Sequence, residues 1–557
     1  MTGAGGYLTA VDKASARDLE RLAQVAKKRG RAGDPPGADT RPEVIVRKGR
    51  IHESADAAEV ALLAKGLPFY ARGDVLVRLT FGAKTAGVRR DDSLPSLVPA
   101  SGPMLLEAFE ASARFVAAFK LKDGTTEIRP VGCPPQLPAV YLGRVGRWQV
   151  QPVRAVACVP VVHPDGTIVR EGYDARSRAV VCSSEDWGAI PTKPTKSEAE
   201  AALLPLRALL GGFVFVDPSD EATAIAAMLS AVLRPSLSTC PGFGFTAPVR
   251  GSGKSKLADV CAVLATGRPS AAVSWPPKEE EAEKRLGATL LAGDPVVCLD
   301  NLETPLRSAA LNSAMTQSEV AIRVLGSSSM PRVQVASLFL ATGNNLVIQG
   351  DLSRRFLVCH IDPGIERPET REFKFCPVAR ARQERVPLVR ALLTIAMWGR
   401  TVEAQRPPLG SFEDWSRRVR DPLIALGMAD PCACLDTLHR DDPEREAAVE
   451  VLTEWRRAFS DRAVSVADAI VEAGRDGPLR GALDAVAGGP GGINPRRLGK
   501  YLGRQRDRMF GSLVVRHRRD VIGNTGLWVV EDRRRTGLPE MDSATHGKAS
   551  GYETVRG

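Results

Sequence analysis

The spacing of hydrophobic and polar positions changes along the chain and divides it into regions. From 43 to about 190, short apolar runs such as EVIVRKGRI, GTIVREGYD and RAVVCSS surround a helical run, ADAAEVALLAKG, and are separated by Pro-Asp-Gly and Asp-Ala-Arg turns. This mixture predicts an α+β region. The Arg-Gly-Asp at 72–74 interrupts FYARGDVLVRLT and reads as the turn of a hairpin. From about 197 to 362 the order becomes helix, helix, strand, loop, helix and then three strands, the alternation of an α/β nucleotide-binding core. PSDEATAIAAMLSAVLR reads there as a capped helix, and STCPGFGFTAP as a strand. Beyond 410 the pattern is mainly helical, and INPRRLGKYLGRQRDRMFGSLVVRHRRDVIGNTGLWVVEDRRR predicts a basic helix followed by two short strands.

Pro/Gly/polar stretches at 31–42, 189–200, 403–410 and 487–495 mark candidate joints. They predict a multidomain α/β chain: an N-terminal helix and linker at 1–42, an α+β accessory domain at 43–190 and a P-loop ATPase domain at 197–402. A helical region at 410–486, a basic winged-helix-like DNA-binding domain at 490–535 and a disordered tail at 536–557 follow. Ser15 and Asp18 open the first helix with a capping-box pattern.

Composition narrows the partners. The 557 residues carry a formal net charge of +11, which favours an acidic partner, nucleic acid above all. The longest apolar run, AIAAMLSAVL at 224–233, falls well short of the roughly 18 residues of a membrane span, so a soluble cytoplasmic protein is expected. Ten scattered cysteines, among them Cys158, Cys182, Cys298 and Cys359 in strand-like runs, read as reduced buried thiols. Cys432, Cys434 and His439 lack a second ligand pair at zinc spacing and read as packing. No cluster of strand-end acids suited to primase metals stands out between 43 and 190.

The chemistry is carried by TAPVRGSGKSKLADV. Gly251, Ser252 and Gly253 supply a tight backbone, Lys254 and Ser255 are the two functional side chains of a phosphate-binding loop, and Lys256 opens the helix that follows. Pro248 stands where that motif expects its first glycine, at the point where the loop leaves its strand. A carboxylate on a neighbouring strand is needed for Mg2+, and PVVCLDN ends in Asp300. Asn344 and Asn345 close the strand pattern VQVASLFLATGNN and suit the positioning of an attacking water. Arg354 and Arg355 in GDLSRRFLVCHID suit the γ-phosphate of a neighbouring subunit's ATP.

Gly-Ser-Gly-Lys-Ser, strand-Asp, strand-Asn and Arg-Arg in this order resemble the superfamily-3 helicases, AAA+-like ATPases of viruses, phages and plasmids. DPVVCLDNLETPL, RVLGSSS and GDLSRRFL are similar to phrases of mobile-element replication helicases and primase-helicase-like proteins, over about 200–370. The resemblance implies a hexameric ring, ATP and Mg2+ as cofactors, translocation on single-stranded DNA and a replication primase or polymerase as partner. It also implies a DNA-contacting element between the Asp and Asn strands, where this chain has Arg323 and Arg332. The acid that such proteins carry directly after the strand-end Asp is Asn301 here, with Glu303 two positions on.

Between Asn494 and Arg519 there are nine Lys/Arg and one Asp. Arg496, Arg497, Lys500, Arg504 and Arg508 recur along one helical side, with Leu498, Tyr501, Leu502 and Met509 available to a core, and Arg516, Arg518 and Arg519 follow on the first wing strand. The expected function is an ATP-dependent DNA helicase or replication ATPase of mobile-element type. The alternative is an ATP-regulated, DNA-binding initiator or regulator without unwinding.

Overall fold

The computed structural model describes residues 39–82, 88–89, 94–183, 185–322, 330–372, 374–435, 443–474, 477–489, 491–519 and 526–533. The Ser15 helix, Arg323, His439 and the tail beyond 536 lie outside the described residues. Contacts divide the chain into two units, 1–435 and 436–557.

In the first unit, helix α1 (Lys196–Leu210) starts from a Thr195/Glu198 capping box, so the polar stretch that reads as a joint at 189–200 contains a helix start. Helix α2 (Pro218–Leu233) starts from a similar Asp217/Asp220 box with Pro218 in its first turn. From Ala222 to Leu233 every residue of α2 is buried, as a helix apolar on all sides requires. Strand β1 (Gly242–Ala247) leads to helix α3 (Lys254–Thr266), then β2 (Ala271–Val273), helix α4 (Glu279–Ala292) and β3 (Val296–Leu302). Helix α5 (Ala309–Thr316) is followed by a hairpin, β4 (Glu319–Ala321) and β5 (Arg332–Gln334). The chain then returns to the main sheet through β6 (Leu338–Asn344) and β7 (Phe356–His360).

The main sheet has the order β7–β1–β6–β3–β2, all parallel, with Val88–Arg89 antiparallel on the outer edge of β2. β1 is buried along its whole length, as both-face coverage by helices demands. Because β6 lies between β1 and β3, the carboxyl ends of these three strands stand side by side, the usual place for a ligand in an open α/β sheet.

The core around this sheet includes Phe243, Phe245, Leu340 and Leu357, and extends to helix α6 (Arg385–Gly399) and to Phe412, Trp415, Cys432 and Cys434. Residues 410–435 therefore belong with the sheet and not with the helical region that the 403–410 stretch suggests. Trp415 is fully buried and donates its indole N–H to Ser230 Oγ at 2.8 Å. Cys434 Sγ accepts the Val358 N–H at 3.3 Å, a packing role; among the described residues no group of His, Cys, Asp or Glu is suited to hold a metal ion. No helix among them is long and apolar enough to cross a membrane.

Residues 43–181 form small sheets and helices around Leu62, Leu105, Phe109, Phe115, Leu137 and Tyr141. Buried arginines join this region to the sheet layer. Arg385 donates from α6 to Val263 O (2.8 Å) and Leu264 O (3.1 Å) at the end of α3, and to Cys158 O at 2.8 Å. Arg418 reaches Val162 O at 2.7 Å and Ser236 O at 3.0 Å.

The second unit has its own core of Trp455, Phe459, Leu483, Leu498, Leu502, Val515 and Val530. Helices α7 (Pro443–Phe459), α8 (Val466–Ala473), α9 (Pro478–Ala487) and α10 (Pro495–Gln505) combine with a sheet of β8 (Val464–Ser465), β9 (Leu513–Arg519) and β10 (Gly526–Asp532). Its order is β8–β10–β9, with Met509–Phe510 on the far side of β9. Residues 443–486 share this core, so the break expected near 487–495 is a short antiparallel pair, Gly488–Gly489 with Gly492–Ile493, inside the unit. A helix followed by a two-stranded wing agrees with the pattern read from sequence, except that Met509 is exposed.

Trp415→Ala removes the largest buried side chain from the helical face of the sheet and leaves Ser230 without its partner. It should lower unfolding free energy by about 3–5 kcal/mol in denaturant titration.

Candidate nucleotide site and basic surface

The phosphate loop forms where β1 ends. Pro248 lies one residue beyond the last β1–β6 pair, Ala247 with Asn344, so its missing N–H costs no ladder bond. Gly251 and Gly253 have φ of +79° and +101°, a left-handed backbone that side chains disfavour. A Cβ on Gly253 would also lie 2.9 Å from Phe213 Cε1. Between them Ser252 is buried and donates its hydroxyl to Val249 O at 2.8 Å, closing the turn. Gly253 caps α3 without a side-chain bond, which leaves the first-turn N–H groups for an anion.

Lys254 Nζ donates to Val249 O at 3.0 Å and to Asn344 Oδ1 at 2.7 Å, and burial pushes its ammonium below the ordinary lysine value. Ser255 Oγ donates to Asp300 Oδ1 at 3.2 Å. Thr342 Oγ1 donates to the same oxygen at 2.7 Å and accepts the Asn301 N–H at 2.9 Å. The five residues come from the helix N-terminus and two adjacent strand ends. Together they place a cation, a hydroxyl, a carboxylate and an amide around one loop, groups that could hold a polyphosphate and, at Ser255 and Asp300, a Mg2+ ion.

The two asparagines are not equivalent. Asn344 touches Lys254, whereas Asn345 is exposed, has φ +46° and contributes its N–H to Ala247 O at 3.1 Å. Nor are the two arginines. Arg355 donates to Asn312 O (3.0 Å) and Thr316 Oγ1 (2.7 Å) at the end of α5, and burial, with Arg354 adding to it, lowers its pKa. Arg354 is exposed, with only Asp351 at 3.6 Å. Lys256 is exposed on the first turn of α3 and lines a slot with Leu209, Phe213, Phe375 and Pro377, flush against Gly251–Gly253.

Asn301 has φ +53°, at the point where the register of β3 against β6 slips between Leu299 and Leu302. Its amide donates to Glu303 Oε1 at 3.4 Å, and Arg250 of the phosphate loop lies 3.9 Å from the same oxygen. Glu303 thus faces the loop from the far side of the turn.

Thr342 and the Phe213/Phe375 slot are absent from the sequence reading. Thr342 precedes Asn344 by two on a strand, hence on the same face, and that alternation was the available signal. Nothing local in sequence joins Phe213 to Phe375.

Arg332 lies exposed at the loop end of the β4–β5 hairpin, opposite Ala321. On α10, Arg496, Lys500 and Arg504 are exposed at four-residue spacing, while Leu498, Tyr501 and Leu502 are buried. Arg504 lies 5.9 Å from the Tyr501 ring, and Arg497 is tied back to Gly488 O at 2.5 Å. Arg508 lies past the helix end, bonded to Gln505 Oε1 at 2.8 Å. Arg516 pairs with Asp507 at 2.6 Å and with Glu531 at 3.6 Å, and Arg518 pairs with Glu531 at 2.9 Å. Arg519 ends β9.

No family model matches the chain, and no curated protein matches it. Among solved structures it is similar to the NrS-1 C-terminal region, with 9% identity over 85% of this chain and 98% of that one, at a TM-score of 0.34. It is similar to the SCCmec type IV Cch active helicase, with 10% identity over 84% and 98%, at 0.32. It is also similar to the JCV helicase, with 15% identity over 45% and 66%, at 0.21. Two of these three are helicases. TM-scores this low carry no argument, and the nucleotide chemistry rests on the chain's own residues.

Thr342→Val removes the hydroxyl that orients Asp300. It should raise the Mg2+ concentration needed for half-maximal nucleotide hydrolysis about 10–100-fold, with little change in nucleotide binding without metal.

Proposed function

We propose that the chain is an oligomeric ATPase that works on DNA as a helicase or replication motor. The observation that carries this reading is the arrangement at the phosphate loop: Lys254 bonded to Asn344, and Ser255 bonded to Asp300, at the ends of neighbouring parallel strands. In this reading the α3 N–H groups and Lys254 bind the β- and γ-phosphates of ATP, and the slot beside Phe213 and Phe375 takes the base. Ser255 and Asp300 would hold Mg2+, which would supply charge neutralisation at the phosphates. Asn344 exchanges Lys254 for the γ-phosphate and orients the attacking water. Arg354, exposed and weakly paired, completes the site of an adjacent subunit, while Arg355 secures α5 to its own strand.

The basic stripe of α10 fits the phosphates of a DNA duplex, and the β4–β5 hairpin with Arg332 fits a single strand. A primase or polymerase partner agrees with the same reading. An ATP-regulated DNA-binding initiator is the second reading, favoured by Asn301, which puts an amide where a base for water would stand. In the motor reading Glu303 takes that role, held by Asn301 and Arg250.

Lys254→Ala should abolish an ATPase activity that single-stranded DNA stimulates, and forked-duplex unwinding should separate the motor from the initiator. Arg354→Ala should lower turnover about 10³-fold or more, and mixing it with Lys254→Ala chains should recover activity that neither has alone. Unstimulated hydrolysis indifferent to Lys254→Ala would refute the reading. For duplex binding, neutralising Arg496, Lys500 and Arg504 together should reduce the slope of log affinity against log salt by about 3, whereas Arg516 and Arg518, already paired with acids, should change it by less than about 1.

A further inference from the structure

The β4–β5 hairpin interrupts the chain between β3, which carries Asp300, and β6, which ends in Asn344, and β5 passes into β6 through only Val335, Ala336 and Ser337. This link belongs to no strand, so its carbonyls need partners elsewhere. Three arginines from three distant segments supply them. Arg72, in the accessory region, donates to Gln334 O at 3.4 Å, to Arg154 O at 2.8 Å and to Leu290 O at the end of α4. Arg154 donates to Val335 O at 3.5 Å and to Leu237 O. Arg234 donates to Val335 O at 3.3 Å and to Ser337 O at 2.9 Å.

Arg72 is fully buried, and its Nε has no hydrogen-bond partner. Desolvation lowers its pKa to about 10, and that of Arg154 to about 9, with Arg234 and Arg72 adding to the Arg154 shift. The next residue is the glycine of the Arg-Gly-Asp turn. Gly73 has φ +57°, and a Cβ there would lie 1.6 Å from Arg332 O, so the turn is seated directly on the first residue of β5, at the loop end of the β4–β5 ladder.

We infer that the Arg72–Gly73 turn is a positioning element through which the accessory region couples the β4–β5 hairpin to the nucleotide-contacting end of β6. The carbonyls of 334, 335 and 337 are fixed, so a shift of the hairpin base cannot be absorbed in the link. It passes along an extended, stiff strand to Asn344, whose Oδ1 holds Lys254 at 2.7 Å. Arg72 and Gly73 touch neither nucleotide nor DNA, and they act through the hairpin. The inference rests on the reading of Asn344 as the nucleotide-contacting group.

The test compares Gly73→Ala with Gly66→Ala in the full chain. Gly66 has a similar φ of +68° but open space around its Cβ, so it imposes the same backbone strain without the collision. Hydrogen–deuterium exchange over 330–337 is followed with and without a non-hydrolysable ATP analogue. Wild type and Gly66→Ala should show a change of threefold or more on adding the analogue. Gly73→Ala should bind the analogue within about threefold of wild type yet show no such change, and should lose DNA stimulation of hydrolysis while keeping the basal rate. If Gly73→Ala melts early, Arg72→Lys, which keeps the charge but not the forked donors, should give the same uncoupling. A wild-type-like response in these variants, or no response in wild type although the analogue binds, overturns the inference. Failure of the analogue to bind wild type overturns the nucleotide reading itself.

Discussion

The cluster around the phosphate loop depends on the register of three parallel strands. Ala247 of β1 stands opposite Asn344 of β6, and Leu299 of β3 opposite Ala341. With those pairs set, the loop after β1 must rise beside Asn344, and Asp300 must emerge next to Thr342. A slip of one residue in β6 would turn Thr342 and Asn344 to the opposite face of the sheet. β6 is buried from Leu338 to Gly343 between its two neighbours, and its ladder pairs with both hold that register. The register shift between Leu299 and Leu302 falls where Asn301 takes a left-handed backbone and brings Glu303 toward Arg250.

Around this sheet the joints between layers are made largely by buried arginines that address backbone carbonyls. Arg385 donates its Nε to two carbonyls in the last turn of α3, opposing the negative end of that helix, while its Nη1 pairs with Glu185 at 2.6 Å. Arg72, Arg154 and Arg418 repeat the device between the accessory region and the core, and Arg234 repeats it within the core. Guanidinium suits this use because it stays charged under desolvation and offers five donors in a fixed plane. A lysine in the same places would lose both its geometry and, through burial, much of its charge.

In the second unit the charge that dominates the composition is sorted by pairing. Asp507 and Glu531 occupy Arg516 and Arg518, Gly488 O and Gln505 occupy Arg497 and Arg508, and the exposed stripe of Arg496, Lys500 and Arg504 remains on α10. The stripe has a hydrophobic reverse side in Leu498 and Leu502, so its orientation is fixed by burial. Nine basic residues read along a line become a much smaller set that can face phosphate.

Local chemistry was enough to read much of this from the amino-acid order. The glycines and Lys-Ser of the loop, the apolar runs ending in Asp300 and Asn344, the capped α2 and the helix-then-wing end are short-range patterns, and each forms where its residues predict. Choices between neighbours were not readable in that way. That Asn344 and not Asn345 touches Lys254, that Arg355 and not Arg354 is tied to α5, that Thr342 stands behind Asp300 and that Phe213 lies beside Phe375 are decided by tertiary packing. The same holds for the domain break: Pro- and Gly-rich stretches at 403–410 and 487–495 look like joints, but Trp415 and Leu483 bury themselves in cores on either side of Leu435 and Asp436. The Arg-Gly-Asp turn makes the same point most plainly. Its residues specify a tight turn, and only packing against the carbonyl of Arg332, some 260 positions away, gives its glycine a second reason to be there.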